Sequence, residues 1–217
     1  MARLVIASLV VVLLAGCAGP FSGDHVTGSG DLVSQSFELA DFSRIDADSV
    51  AQVEVTRGDE FSVEVEVDDN LASKLDVGVT GDTLRIKMQD GWYTNFTLRA
   101  RVTMPELTGV TLDGASKLSG ELAGEDVALD LDGASRITLT GTAGRVTIKI
   151  NGASQALLGD LTAEEAVELD ANGASRVEIN ANGAVSGKAN GASRITVTGS
   201  PTSVEVETEG ASQVITE

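Results

Sequence analysis

A single cysteine, Cys17, excludes an internal disulfide, and a single histidine, His25, excludes a metal site built from several imidazoles. Cations are also scarce: 15 Lys and Arg stand against 33 Asp and Glu in 217 residues, a formal net charge of -18. That excess argues against nucleic-acid binding and against charge-driven adhesion to anionic lipid, since both need basic patches that neutralise phosphate. Aromatics number seven (five Phe, one Trp, one Tyr), and all of them precede Thr97. What is present is a 42% apolar share, enough for a packed core, in a length that suits one domain or at most two small ones.

The N-terminus carries one cation, Arg3, followed by the apolar run Leu4 to Ala15. At about 1.5 Å per residue such a helix spans about 18 Å, well short of a hydrocarbon core of about 30 Å. It reads as the h-region of a signal peptide over residues 1–16. The run ends in Leu14-Ala15-Gly16-Cys17, which resembles the lipobox of bacterial lipoproteins. The resemblance implies that Cys17 is diacylated and becomes the first residue of the mature chain. Ala18 follows, where an Asp would in enterobacterial sorting retain a lipoprotein in the inner membrane. An exported chain anchored to the cell envelope is expected, in the outer membrane where there are two. Removal of residues 1–16 leaves 14 cations and 33 anions, a net charge of -19, so the lipid and not the protein face should hold the chain at a membrane. Residues 17–36 then read as the lipidated cysteine and a flexible Gly- and Ser-rich tether, with His25 a solvated tether residue.

A repeat dominates the remainder of the chain. Asp113-Gly114-Ala115-Ser116 recurs with Asp, Asn or Glu in the first place, its glycines falling at Gly114, Gly133, Gly152, Gly173, Gly191 and Gly210, at intervals of 19, 19, 21, 18 and 19 residues. So short a period means a solenoid coil and not a string of domains. Segments such as Val127-Ala128-Leu129-Asp130-Leu131 before the tetrapeptide and Arg136-Ile137-Thr138-Leu139-Thr140 after it alternate apolar with polar residues, the pattern of a strand with one buried face. Two strands and two turns use up one period. The expected fold is all-β: a single-stranded parallel β-helix, right-handed by the general preference for right-handed crossovers, with the repeated glycine at a corner. The two-residue period and the repeated Gly exclude a helical solenoid.

Residues 37–217 form the expected β-helical domain, 106–217 as regular repeats and 37–105 as an irregular, partly antiparallel capping region. Ile45 to Val53 can be laid on Val110 to Leu118 as a degenerate first coil. Arg57-Gly58-Asp59-Glu60 between two alternating segments reads as a hairpin turn, which accounts for the Arg-Gly-Asp tripeptide. Phe42, Phe61, Trp92, Tyr93 and Phe96 are candidates to plug the end of the solenoid.

Phe42 and Ile45 ahead of a strand, Gly58-Asp59, Leu84-Arg85-Ile86, Val102 to Leu107 and then the run of Gly-Ala-Ser corners together resemble the head GIN domain family of auto-transporter adhesins. The likeness covers about Phe37 to the C-terminus. It implies an exported β-helical domain of bacterial envelopes and brings no catalytic residues with it.

Two columns bear on function. Asp113, Asp132, Asn151, Asn172, Asn190 and Glu209 form one; Lys117, Arg136, Gln155, Arg176, Arg194 and Gln213 form the other. Four of the seven cations after Glu106, namely Lys117, Arg136, Arg176 and Arg194, stand in the second column, a candidate docking stripe for an acidic glycan, a lipid headgroup or a partner protein. The competing reading is mutual compensation of stacked charges. Asp113 and Asp132 superficially match a retaining-glycosidase pair or part of a Ca²⁺ site, but the column has only these two aspartates. No cofactor, metal or nucleic acid is expected. The chain is read as a non-catalytic binding, adhesion or structural module of the envelope, with a polysaccharide-active enzyme or a signalling or assembly partner as alternatives, and with self-association open.

Overall fold

The computed structural model describes residues 25–124 and 126–217; the signal segment, the lipobox and Cys17 lie outside them. In chain order the strands are β1 (His25–Thr27), β2 (Leu32–Phe37), β3 (Arg44–Ala47), β4 (Gln52–Arg57) and β5 (Ser62–Asp68). A short 3-10 helix, Asp69–Lys74, leads to β6 (Leu75–Thr80), β7 (Thr83–Met88), β8 (Trp92–Thr94) and β9 (Leu98–Met104). The regular coils hold β10 (Gly109–Leu112), β11 (Lys117–Ala123), β12 (Val127–Leu131), β13 (Arg136–Ile150), β14 (Gln155–Ala171), β15 (Arg176–Ala181), β16 (Ala184–Ala189), β17 (Arg194–Gly199), β18 (Ser203–Thr208) and β19 (Gln213–Thr216).

These strands wind into a β-solenoid with two sheet faces. The first face stacks β5, β9, β4, β11, the first half of β13, the first half of β14, β15, β17 and β19. The second stacks β6, β7, β3, β10, β12, the second halves of β13 and β14, β16 and β18. Along these stacks every pairing beyond β5–β9 and β6–β7 is parallel. The expected first coil is present, with Ile45 beside Val110 and Gln52 beside Lys117.

Alternation explains the packing. In β12 the side chains of Val127, Leu129 and Leu131 are buried while Ala128 and Asp130 are not, and β13 repeats the pattern with Ile137, Leu139, Ile148 and Ile150 inside. Each fully buried aliphatic side chain of this kind contributes about 1.5–3 kcal/mol of transfer free energy. The corners hold the coils at a fixed distance. Gly152 has φ 72°, and a Cβ there would stand 2.3 Å from the carbonyl oxygen of Gly133. Both reasons for glycine, a left-handed backbone and a close neighbour, therefore act together. Variation in coil length is taken up elsewhere: Leu158 pairs with Ile179 and Thr162 with Asn180, so three residues of β14 bulge at the opposite corner.

The capping region departs from the local reading in three ways. The chain turns after Arg57, but β4 and β5 do not form a hairpin; β9 inserts between them, parallel to β4 and antiparallel to β5. The segment read as tether up to residue 36 is structured from His25: β1 pairs with Trp92–Thr94 and β2 runs antiparallel to β5. Buried Asp68 ties this segment down by accepting the backbone N–H groups of Gly30 at 2.6 Å and Thr97 at 2.7 Å. Of the expected plug, Phe42 is buried against Phe61, with ring centroids 4.8 Å apart, and Leu71 of the 3-10 helix is fully buried, whereas Trp92 is 65% exposed.

Candidate functional site

The corner serine of each coil points inward and the next residue points out. Ser116, Ser135, Ser154, Ser175 and Ser193 are buried, and Lys117, Arg136, Arg176 and Arg194 that follow four of them are exposed. Parallel pairing sets Lys117 beside Arg136, Arg136 beside Gln155, Gln155 beside Arg176, Arg176 beside Arg194 and Arg194 beside Gln213. The stripe expected from the repeat is thus one continuous row. It also runs into the capping region, where Gln52 pairs with Lys117 and Arg99 with Gln52. From Arg99 to Gln213 the row crosses eight strands, about 34 Å at about 4.8 Å per strand. Gln52 was in reach of the sequence, since it follows the degenerate first corner; Arg99 was not, because its strand arrives by a non-local pairing.

Two of the five cations in this row have a carboxylate partner and three do not. Arg99 pairs with Glu66 at 3.1 Å on the antiparallel strands, and Arg176 pairs with Glu178 two residues on. Arg136 donates from Nε to the Gln155 side-chain oxygen at 3.1 Å. Among the described residues Lys117, Arg136 and Arg194 have no carboxylate oxygen within 4.0 Å. Lys117, Arg136, Arg99 and Arg101 line an open groove on this face together with the carboxylates of Glu54, Glu64 and Glu66.

The second face shows what compensation looks like in the same fold. There the outward row reads Arg85, Asp46, Thr111, Asp130, Lys149, Asp170, Lys188 and Glu207, each paired to the next. Charges alternate after Thr111, and Lys188 reaches Glu207 at 3.6 Å and Arg85 reaches Asp46 at 4.0 Å. Stacked strands can therefore neutralise one another at this spacing; the first face does so between β9 and β5, and not at Lys117, Arg136 and Arg194.

The other column is structural. Asn172 donates to the Asn151 side-chain oxygen at 3.2 Å and Asn190 to that of Asn172 at 2.9 Å, an amide ladder along the corner. Asp113 accepts the N–H of Gly114 at 2.6 Å, which commits that carboxylate to its own turn. Arg57 donates to the Pro105 carbonyl at 3.3 Å and Gly58 N–H to that of Met104 at 3.0 Å, so the Arg-Gly-Asp segment is held against the end of β9 and not in a β4–β5 hairpin. Among the described residues no group of three or more His, Cys, Asp or Glu is arranged to hold a metal ion, and no helix is long and apolar enough to cross a membrane.

Solved structures share this architecture. One described as a "putative adhesin" from Bacteroides fragilis NCTC 9343 superposes with a TM-score of 0.73 at 20% identity, covering 88% of this chain and 100% of that one. A "putative adhesin" from Parabacteroides distasonis ATCC 8503 gives 0.61 at 18% identity over 89% and 100% of the two chains. A "putative lipid binding protein" from the same organism gives 0.52 at 15% identity over 89% and 99%. At these identities the likeness establishes the fold. No curated protein matches the chain. The family model described as "Putative auto-transporter adhesin, head GIN domain" matches residues 41–201, from the start of the first coil to the turn before β18, and the chain belongs to that family.

Proposed function

We propose that the protein is a non-catalytic binding module of the bacterial envelope, held by lipid on Cys17, whose contact surface is the cationic row of the first face and whose ligand is an acidic glycan. The carrying observation is the contrast between the two faces: alternating signs on one, and Lys117, Arg136, Arg176 and Arg194 without an interposed acid on the other. Like charges placed side by side are unfavourable, so a row in which Lys117, Arg136 and Arg194 have no carboxylate partner, on a protein of net charge -18, calls for an anion from outside. An extended polymer suits it better than a small anion, because the row is long and open. Its glutamines, Gln52, Gln155 and Gln213, add neutral amides that can hydrogen-bond sugar hydroxyls between the charged steps. The family description and the adhesin-like neighbours support a display and attachment role. The lipobox and the charge of the mature chain support the anchor.

The test is titration of the mature chain with polygalacturonate, and with neutral dextran as control, by calorimetry at two salt concentrations. Saturable, salt-sensitive binding to the acidic polymer alone is expected, weakened at least about tenfold by the joint change Lys117→Ala, Arg136→Ala and Arg194→Ala, on the scale of a charged hydrogen bond each. Equal binding of both polymers, or a variant that binds as well as the parent, would refute the row as the contact surface.

A further inference from the structure

Three large apolar side chains are exposed among the described residues: Leu32 at 39%, Val33 at 37% and Trp92 at 65%. All three belong to strands of the capping region, β2 and β8, and none to the regular coils. Trp92 stands at the start of β8 opposite His25, the first described residue, with ring centroids 6.4 Å apart. Residues 28–31, which join β1 to β2, are stitched to the cap: Gly28 N–H to the Thr94 carbonyl at 3.0 Å, Ser29 Oγ to Asp69 at 2.6 Å and Gly30 N–H to Asp68 at 2.6 Å. The point where the chain enters the fold is therefore fixed beside Trp92.

His25 stands eight positions after Cys17. Fully extended, that stretch spans at most about 28 Å, and less in any bent path. A lipid on Cys17 thus keeps the capping end within about 28 Å of the bilayer, nearer than the far coils need be. From this we infer that Trp92 forms a membrane contact: an indole at the level of the headgroups beside the acyl anchor, setting the solenoid with its cap toward the membrane and its coils pointing away. An indole is suited to that place because its apolar body and polar N–H match a boundary that is dry on one side and wet on the other. Asp31 and Asp90 stand within two positions of these apolar residues, so the surface that suits this end is a zwitterionic one. The inference rests on the anchor at Cys17 and adds the orientation and the protein surface that touches lipid.

Trp92 is the single tryptophan of the chain and so reports on itself. The experiment uses the full, natively processed lipoprotein in phosphatidylcholine vesicles whose acyl chains carry bromine, with the non-acylated Cys17→Ser chain and the same vesicles as control. Mass spectrometry of the N-terminal peptide and flotation of the vesicles report the anchor independently of the fluorescence. The expected result is a blue-shifted Trp92 emission that bromine quenches in the lipoprotein and not in the Cys17→Ser chain. A lipoprotein that carries acyl chains and floats, but whose emission matches that of the Cys17→Ser chain in buffer, overturns the inference and leaves the anchor standing. A chain without acyl mass overturns the anchor and the inference with it. A blue shift in the Cys17→Ser chain without vesicles, accompanied by a dimer in sedimentation, overturns it in favour of a second copy of the protein at this patch.

Discussion

The hydroxyl of Ser154 accepts the backbone N–H of Ser135 at 3.1 Å, joining the corner of one coil to that of the coil before it. Ser135 in turn donates its hydroxyl to the Asp132 carbonyl at 2.8 Å, and Ser175 and Ser193 do the same to Asn172 at 2.7 Å and Asn190 at 3.0 Å. The repeat keeps a hydroxyl at this buried position because the corner backbone needs a partner there. Ser116 is the exception: its hydroxyl is buried without a hydrogen bond. The two sites should respond oppositely to the same change. Ser135→Ala is expected to lower stability by about 1–2 kcal/mol, while Ser116→Ala is neutral or stabilising, because it removes an unpaired polar atom. Urea denaturation of both variants checks the difference in sign.

The Gly-Ala-Ser corner makes a sharper prediction. Gly152→Ala puts a Cβ 2.3 Å from the Gly133 carbonyl oxygen at a φ of 72°. The left-handed backbone alone costs about 1–2 kcal/mol, and the clash adds to it, so a loss of about 3 kcal/mol is expected. Gly159→Ala is the matched control: nothing lies within 4 Å of a Cβ there, and the effect should stay within about 0.5 kcal/mol. Thermal unfolding of the pair separates corner geometry from glycine content.

Asp68 is the buried carboxylate on which the entry segment hangs. Asp68→Ala leaves the Gly30 and Thr97 N–H groups without their acceptor and should cost about 2–4 kcal/mol. Because β1 and β8 pair with each other and Asp68 holds the residues that follow each, amide exchange in residues 25–31 and 92–97 should accelerate more than in the regular coils.

Asp46 supplies a pH dependence. Burial pushes its carboxyl above the ordinary value of 3.8; Arg85 and Lys87 pull it back, and Asp48 and Asp113 add to the rise. The folded chain therefore keeps the Asp46 proton to higher pH than the unfolded chain does. Its contribution to stability is complete below 3.8 and is lost as pH rises through the folded value. Asp46→Asn should accordingly raise the melting temperature at neutral pH, with the advantage shrinking as the pH falls toward the ordinary carboxylate range. A variant less stable than the parent at pH 7 would mean that the Arg85 contact at 4.0 Å outweighs the burial.

The legible part of the fold is the part encoded by near neighbours in the chain. Alternation and the Gly-Ala-Ser spacing located the coils, the corners, the first coil over Ile45 to Val53 and the row from Lys117 to Arg194, because each coil repeats the same short-range demands. The capping region obeys pairings that no neighbouring residues encode. Nothing between Arg57 and Phe61 announces that β9, some forty residues on, will separate β4 from β5. The inward turn of the corner serines was hidden for another reason: a hydroxyl reads as solvent-facing until the unpaired backbone beside it is seen. Asp68 looked like one acid among many, and only its two amide donors set it apart.

The bulge between Leu158 and Thr162 separates two quantities that a helical repeat ties together. The Gly corners and the row beside them keep their rung-by-rung alignment through coils of 18, 19 and 21 residues, because extra length is spent at the opposite bend. Loops can therefore be lengthened near Gly159 without altering the spacing of Arg136, Arg176 and Arg194. In such a scaffold the ruler set by the corners is insulated from the part of the chain that is free to vary.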